Sequence, residues 1–314
     1  MGADSPGGIR LLMVEIYRKQ RGPVIVHLLI YLVMGFAIVC LTSVVIDQAA
    51  KLQSQEIVIK SALPQKADEL NLIQFRDRII LVRRNVQTNK YEKDLFRIED
   101  GRMHYSDSNV KAVFGIDVSY AQKDIDWRKV KKAGVEFAML RIGFRGYGEG
   151  TIVQDNRFER NIREASEAGI DVGVYFFSQA LNEKEAREEA LWVIDVLKDY
   201  NITYPVVFDW EFYTNIPEAR SNNMDGETLT TCALAFSDEI AKAGYTPMIY
   251  FNMSLGYLYY DLSEITDYHF WLAELNGPPI FYYNFQMLQY SHTGKVEGIE
   301  GDVDLNLCFI SFDE

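Results

Sequence analysis

The spacing of apolar residues divides the chain into three stretches. Leu28 to Ile46 is a continuous run of 19 residues without a charge, extended on its N-terminal side by Val24-Ile25-Val26. Residues 47–110 read as a spacer that is mostly polar from Gln48 to Asn71. Short apolar groups interrupt it, among them Ile79-Ile80-Leu81-Val82 and Leu95-Phe96-Arg97-Ile98. From Val113 onward short apolar runs alternate with amphipathic segments. The strand-like runs cover 113–119, 135–142, 170–177, 204–211 and 246–251, then 270–275, 285–291 and 303–308. Helix-like segments fall at 126–133, 154–168, 182–200 and 227–243. Gly134, Gly169 and Gly244 follow three of them, where a helix C-terminus favours glycine, and Asn182 stands where an N-cap belongs.

Strands separated by helices of this size predict parallel βαβ units. About eight strands in roughly 200 residues predict an α/β, modified TIM-like barrel with some helices missing. Chemistry in such barrels sits at the C-terminal ends of the strands. Asp117 lies near the end of the first strand, and Asp209 and Glu211 end the fourth. Asp304 lies in the last, so barrel closure should bring Asp117 and Asp304 together. In Val206-Val207-Phe208-Asp209-Trp210-Glu211 alternate side chains share a face. Asp209 and Glu211 should therefore point the same way, with Cα atoms roughly 6.5–7 Å apart. Paired carboxylates at that range are the minimal equipment for breaking a glycosidic bond. One must hold a proton for the leaving oxygen while the other stays charged beside a cationic centre.

The uncharged run is long enough to cross a bilayer, since about 20 apolar residues at 1.5 Å rise span the hydrocarbon core. A cleaved signal peptide usually carries a shorter apolar region, and no small-x-small cleavage site follows this one. Arg10, Arg18, Lys19 and Arg21 precede the run, which places the N-terminus in the cytoplasm. The expected order is a cytoplasmic N-terminus (1–23), one transmembrane helix (24–46), an extracytoplasmic spacer (47–110) and the barrel domain (111–314). The spacer should hold a small hairpin turning at Asp100-Gly101. The expected location is the cell membrane, single-pass, with the barrel outside.

Charge sharpens the division. The 314 residues carry a net charge of −13. Residues 1–110 hold 15 Lys and Arg against 12 Asp and Glu, whereas residues 111–314 hold 17 against 33. An acidic barrel domain argues against nucleic acid as a partner. Cys40 lies in the apolar run, and Cys232 and Cys308 fit no disulfide framework or zinc spacing, so they read as buried free thiols. His27, His104, His269 and His292 make no metal-binding pattern, and no metal or other cofactor is expected. A serine hydrolase is disfavoured because no G-x-S-x-G elbow occurs.

An ordered set of stretches resembles the glycoside hydrolase family 25 muramidases, the Chalaropsis-type lysozymes. They are Gly115-Ile116-Asp117-Val118-Ser119 and Ile125-Asp126-Trp127, then Asp155, Phe158, Asn161, Ala165 and Gly169, then Gly173-Val174-Tyr175. Phe208-Asp209-Trp210-Glu211, Trp271-Leu272-Ala273, Gln289-Tyr290-Ser291 and Val303-Asp304-Leu305-Asn306 complete it. The resemblance covers about residues 113–310. It implies a barrel of five βα units and three further strands. It also implies hydrolysis of the β-1,4 bond between N-acetylmuramic acid and N-acetylglucosamine in peptidoglycan, without a metal. By position Glu211 matches the general acid, Asp209 its partner carboxylate, and Asp117 and Asp304 the supporting acids. Tyr175 and Trp271 match residues of the sugar cleft, to which we also assign Gln289 and Tyr250. Trp127 reads as core.

Two departures stand out. Many members have Tyr-His-Phe in place of Tyr175-Phe176-Phe177 and Trp-Gln in place of Leu288-Gln289, and both changes are expected on the cleft wall. Two other functions stay open at this point: a non-catalytic glycan-binding module on a stalk, and a membrane-bound scaffold of an envelope assembly. A retained anchor points to remodelling of the cell's own wall. The sequence identifies no protein partner.

Overall fold

The computed structural model describes residues 70–213, 215–275 and 277–312. The expected transmembrane helix at 24–46, its cytoplasmic flank and the spacer up to 69 lie outside the described residues. Among the described residues no helix is long and apolar enough to cross a membrane. The chain divides into two units, the second spanning Arg83–Glu314. The first contributes a two-stranded sheet of β1 (Leu70–Phe75) and β2 (Arg78–Arg83).

The second unit opens with a hairpin of β3 (Phe96–Glu99) and β4 (Arg102–Tyr105). Its two-residue turn, Asp100 and Gly101, has both φ angles positive, as a type I′ turn requires. Then come β5 (Val113–Val118), α1 (Trp127–Lys132), β6 (Phe137–Arg145), the short β7 (Ile152–Gln154) and α2 (Phe158–Glu167). β8 (Asp171–Ser178), α3 (Glu183–Leu197), β9 (Val206–Trp210), α4 (Gly226–Lys242), β10 (Pro247–Asn252) and α5 (Met253–Leu258) follow. The last strands are β11 (His269–Ala273), β12 (Met287–Gly294) and β13 (Val303–Cys308). Asn182 caps α3 by accepting from the Glu185 N–H at 3.1 Å, and α2 ends before Gly169 at φ +74°.

Eight strands close into a barrel in the order β5-β6-β8-β9-β10-β11-β12-β13, with β13 pairing back onto β5. The five βα units and three further strands are those expected. Seven barrel strands are parallel, and β13 runs antiparallel to both neighbours. The early residues of β13 therefore sit at the same mouth as the late residues of the others. β7, which the hydrophobic pattern does not reveal, folds back as an antiparallel edge on the end of β6.

Strand alternation sorts the side chains. Inward positions at the lower end hold Phe137, Met139, Val207, Met248, Met287 and Cys308, with Tyr204 below β9, in one packed cluster. Phe137 and Tyr204 stack at 4.6 Å. Gly115 permits this, because a Cβ there would lie 2.3 Å from the Phe137 ring. Outward positions such as Phe176, Phe208, Phe251 and Leu288 are fully buried under the surrounding layer. The expected cleft-wall positions of Phe176 and Leu288 are thus corrected. Phe176 packs on Trp192 of α3 and Phe236 of α4, and Leu288 pairs in register with Leu272 and Leu307, one step out of phase with inward Met287 and Gln289. Trp127 is core, 2% exposed, and Cys232 and Cys308 are buried free thiols.

The segment before the barrel covers its lower end. Tyr91 stacks on Phe309 at 4.2 Å and donates its hydroxyl to the Phe285 carbonyl at 2.8 Å. Tyr105 meets Phe309 edge-on at 5.6 Å.

Candidate active site

The upper end of the barrel interior opens into a cavity of about 210 Å³ lined by Asp117, Asp209, Glu211, Asp304 and the side chains around them. β5 and β13 bring the first two distant acids together: Asp117 and Asp304 are register partners. β9 delivers Asp209, which pairs with Phe177 on one side and Tyr250 on the other. Glu211 stands just beyond the end of β9. Tyr175, Tyr250, Trp271 and Gln289 line the same cavity.

Two hydrogen-bonded chains converge on Asp117. Tyr250 donates to Gln289 Oε1 at 2.9 Å, and Gln289 donates to Asp117 Oδ2 at 2.9 Å. Trp271 Nε1 donates to Asn306 Oδ1 at 2.9 Å, and Asn306 donates to Asp117 Oδ2 at 2.8 Å. Three of the expected sugar contacts therefore also fix an acid. Asp117 is pushed well above the usual carboxylate range, by burial first and by Asp304 second, while the two amide donors pull the other way. Asp304 is raised by burial, and its hydrogen bond from Asp117 opposes the shift. Burial is the largest cause of both shifts, and the two acids titrate as an interacting pair across the β5–β13 pairing.

Asp209 is also pushed well up, by burial and then by the Glu211 and Asp117 charges, with Arg141 opposing. Its Oδ1 is buried and has no hydrogen-bond partner. Glu211 is pushed up to about 7, by burial first and by the Asp117 charge second. A buried polar atom without a partner costs stability, so this oxygen is held in the cavity wall at a cost in free energy.

Glu211 is held through its main chain. Gln179 donates to the Glu211 carbonyl at 3.0 Å, and the Ser221 hydroxyl donates to Gln179 Oε1. No local sequence signal announces this contact, which joins residues on different loops. Arg141, Phe177 and His292 also line the cavity and were not anticipated. Arg141 had a signal: it follows Phe137 and Met139 at alternate positions of β6, so an inward charge was legible. Its Nε donates to buried Asp155 at 2.8 Å, and its guanidinium lies 4.8 Å from the Tyr120 ring centroid.

The arrangement offers carboxyl groups in different electrostatic settings, an aromatic wall, and a mouth at the C-terminal strand ends. That is the equipment of acid-assisted glycosidic cleavage. Comparison with known proteins agrees. The family model described as glycosyl hydrolases family 25 matches residues 116–299. Lysozyme M1 of Streptomyces globisporus is 30% identical over 216 residues, which span 63% of this chain and 68% of that protein. The solved bacterial lysozyme of Streptomyces coelicolor superposes with a TM-score of 0.51 at 26% identity, covering 65% of this chain and 94% of that one. The modular autolysin LytC of Streptococcus pneumoniae gives a TM-score of 0.56 at 25% identity, over 77% of this chain and 57% of that one. A cavity of four acids at the mouth of this barrel, with the family model covering more than half the sequence, identifies the chain as a member of glycoside hydrolase family 25.

Proposed function

We propose that the protein is a peptidoglycan hydrolase that cleaves the β-1,4 bond between N-acetylmuramic acid and N-acetylglucosamine. The observation that carries the reading is the cluster of Asp117, Asp209, Glu211 and Asp304 around one cavity. Named relatives support the substrate: one is a lysozyme, and the pneumococcal autolysin has been solved with a synthetic peptidoglycan ligand.

In this mechanism Glu211 donates its proton to the glycosidic oxygen as the bond breaks. Burial, the largest cause of its raised pKa, favours the protonated form. Asp209 supplies the matching negative charge once the substrate is in place, against the burial and the Glu211 charge that raise it in the free protein. Arg141 acts on it in that sense, and a positive centre forming at the sugar strengthens the same assignment. Its unpartnered Oδ1 faces the reaction either as nucleophile or as acceptor for the acetamido N–H of the substrate. Asp117 and Asp304 hold the shape and charge of the cleft floor.

The uncharged run at 24–46 tethers the enzyme to the membrane in this proposal, with the barrel outside and the cell's own wall as substrate. Mass spectrometry of fragments released from purified peptidoglycan tests the bond: new reducing ends should be N-acetylmuramic acid. Reducing ends of N-acetylglucosamine, or no release by the wild type, would remove the reading. Protease accessibility of the barrel in intact and opened cells tests the tether and its direction.

A further inference from the structure

The cavity does not end at its acidic floor. Phe177 lines its wall and meets Tyr213 edge-on, with ring centroids 5.7 Å apart. Tyr213 in turn lies 5.2 Å from Tyr147 at an interplanar angle of 55°. The three rings form a continuous line from the cavity wall to the exposed Tyr147. Tyr147 is 46% exposed, although a tyrosine that size could bury itself.

Its loop is not loose. The Tyr147 carbonyl accepts from the Arg220 N–H at 2.9 Å, and Gly146 N–H donates to Thr151 at 2.9 Å. Arg145 donates to the Gly150 carbonyl at 2.7 Å and pairs with Glu189 at 2.6 Å, both charged side chains almost fully buried. Burying an ion pair is costly and contributes little net stability. Here the pair fixes the loop that presents Tyr147.

Resting on the reading above, we propose that Tyr147 and Tyr213 form an outer subsite for a sugar ring of the same glycan strand, beyond the units that fill the acidic cavity. A pyranose presents an apolar C–H face to an aromatic ring and hydroxyls at its edge, and a fixed aromatic ring continuous with a glycosidase cleft matches that chemistry. The subsite adds affinity only for strands long enough to reach it.

The test measures binding in a Glu211→Gln background, which prevents turnover, using defined glycan oligosaccharides from disaccharide to octasaccharide. Affinity should rise with length, and Tyr147→Ala should remove that rise, weakening the longer oligosaccharides by up to about tenfold. Short ones should bind unchanged, and Tyr147→Trp should restore the dependence. A Tyr147→Ala protein that binds every length like its parent overturns the subsite, as does one that weakens all lengths equally. If the Glu211→Gln parent binds no oligosaccharide at all, the proposed function itself fails, a result distinct from either.

Discussion

The lower and upper halves of the barrel interior are built from the same eight strands and the same alternate positions, and they hold opposite chemistry. Below, Phe137, Met139, Val207, Met248 and Met287 close on one another with Tyr204 underneath. Above, two residues further along the same strands, stand Arg141, Asp209, Tyr250 and Gln289, with Asp117 and Asp304 beside them. The lower layer stabilises by burying apolar area. The upper layer does the reverse, since each acid there is raised from its usual pKa mainly by burial. A short step along a strand separates a residue that stabilises the fold from one that burial destabilises.

Four substitutions break or sharpen that contrast. The largest effect is expected from Glu211→Gln, which should lower turnover on purified peptidoglycan by about 10³-fold or more while the domain stays folded. Next is Phe137→Ala in the lower layer. It should cost about 3–5 kcal/mol by denaturant titration, and the folded fraction should keep its kcat. A loss of kcat there would mean that the two layers are not separable.

Asp209→Asn should act oppositely on the two properties. The native pKa is raised, so the folded state binds more protons than the unfolded chain, and stability falls as pH rises through the interval between the two values. For Asp209 that interval starts at 3.8 and extends well above it. The asparagine variant should be less active and should melt higher than wild type at pH 8, with the gain shrinking towards pH 4. Wild-type turnover should fall as pH rises above about 7, where Glu211 loses its proton. An unchanged melting difference across this range would show that the acids are not strained. The smallest effect belongs to Tyr250→Phe, which removes the donor to Gln289. It should lower activity roughly tenfold or less, consistent with about 1 kcal/mol for one hydrogen bond, with melting almost unchanged.

Much of this arrangement was legible in the order of residues. The alternation from Val113 onward gave the strands and helices, and barrel closure brought Asp117 to Asp304 across the chain. Period-two counting, carried one residue further from Tyr175 and Gln289, also puts Phe176 and Leu288 on the outer face, where they are found. What the sequence did not carry is pairing between loops. Gln179 meets the Glu211 carbonyl only because the β8 and β9 ends lie side by side, and the Arg145–Glu189 pair depends on how α3 packs. Such contacts have no local periodicity to betray them. Asn306 lay within a recognised stretch, yet its place between Trp271 and Asp117 needed the antiparallel β13.

The coverage of the barrel's lower end has a mechanical corollary. Tyr91, Tyr105 and Phe309 gather at the pole opposite the cavity, so the aromatic cap that closes the barrel floor leaves the acidic mouth uncovered.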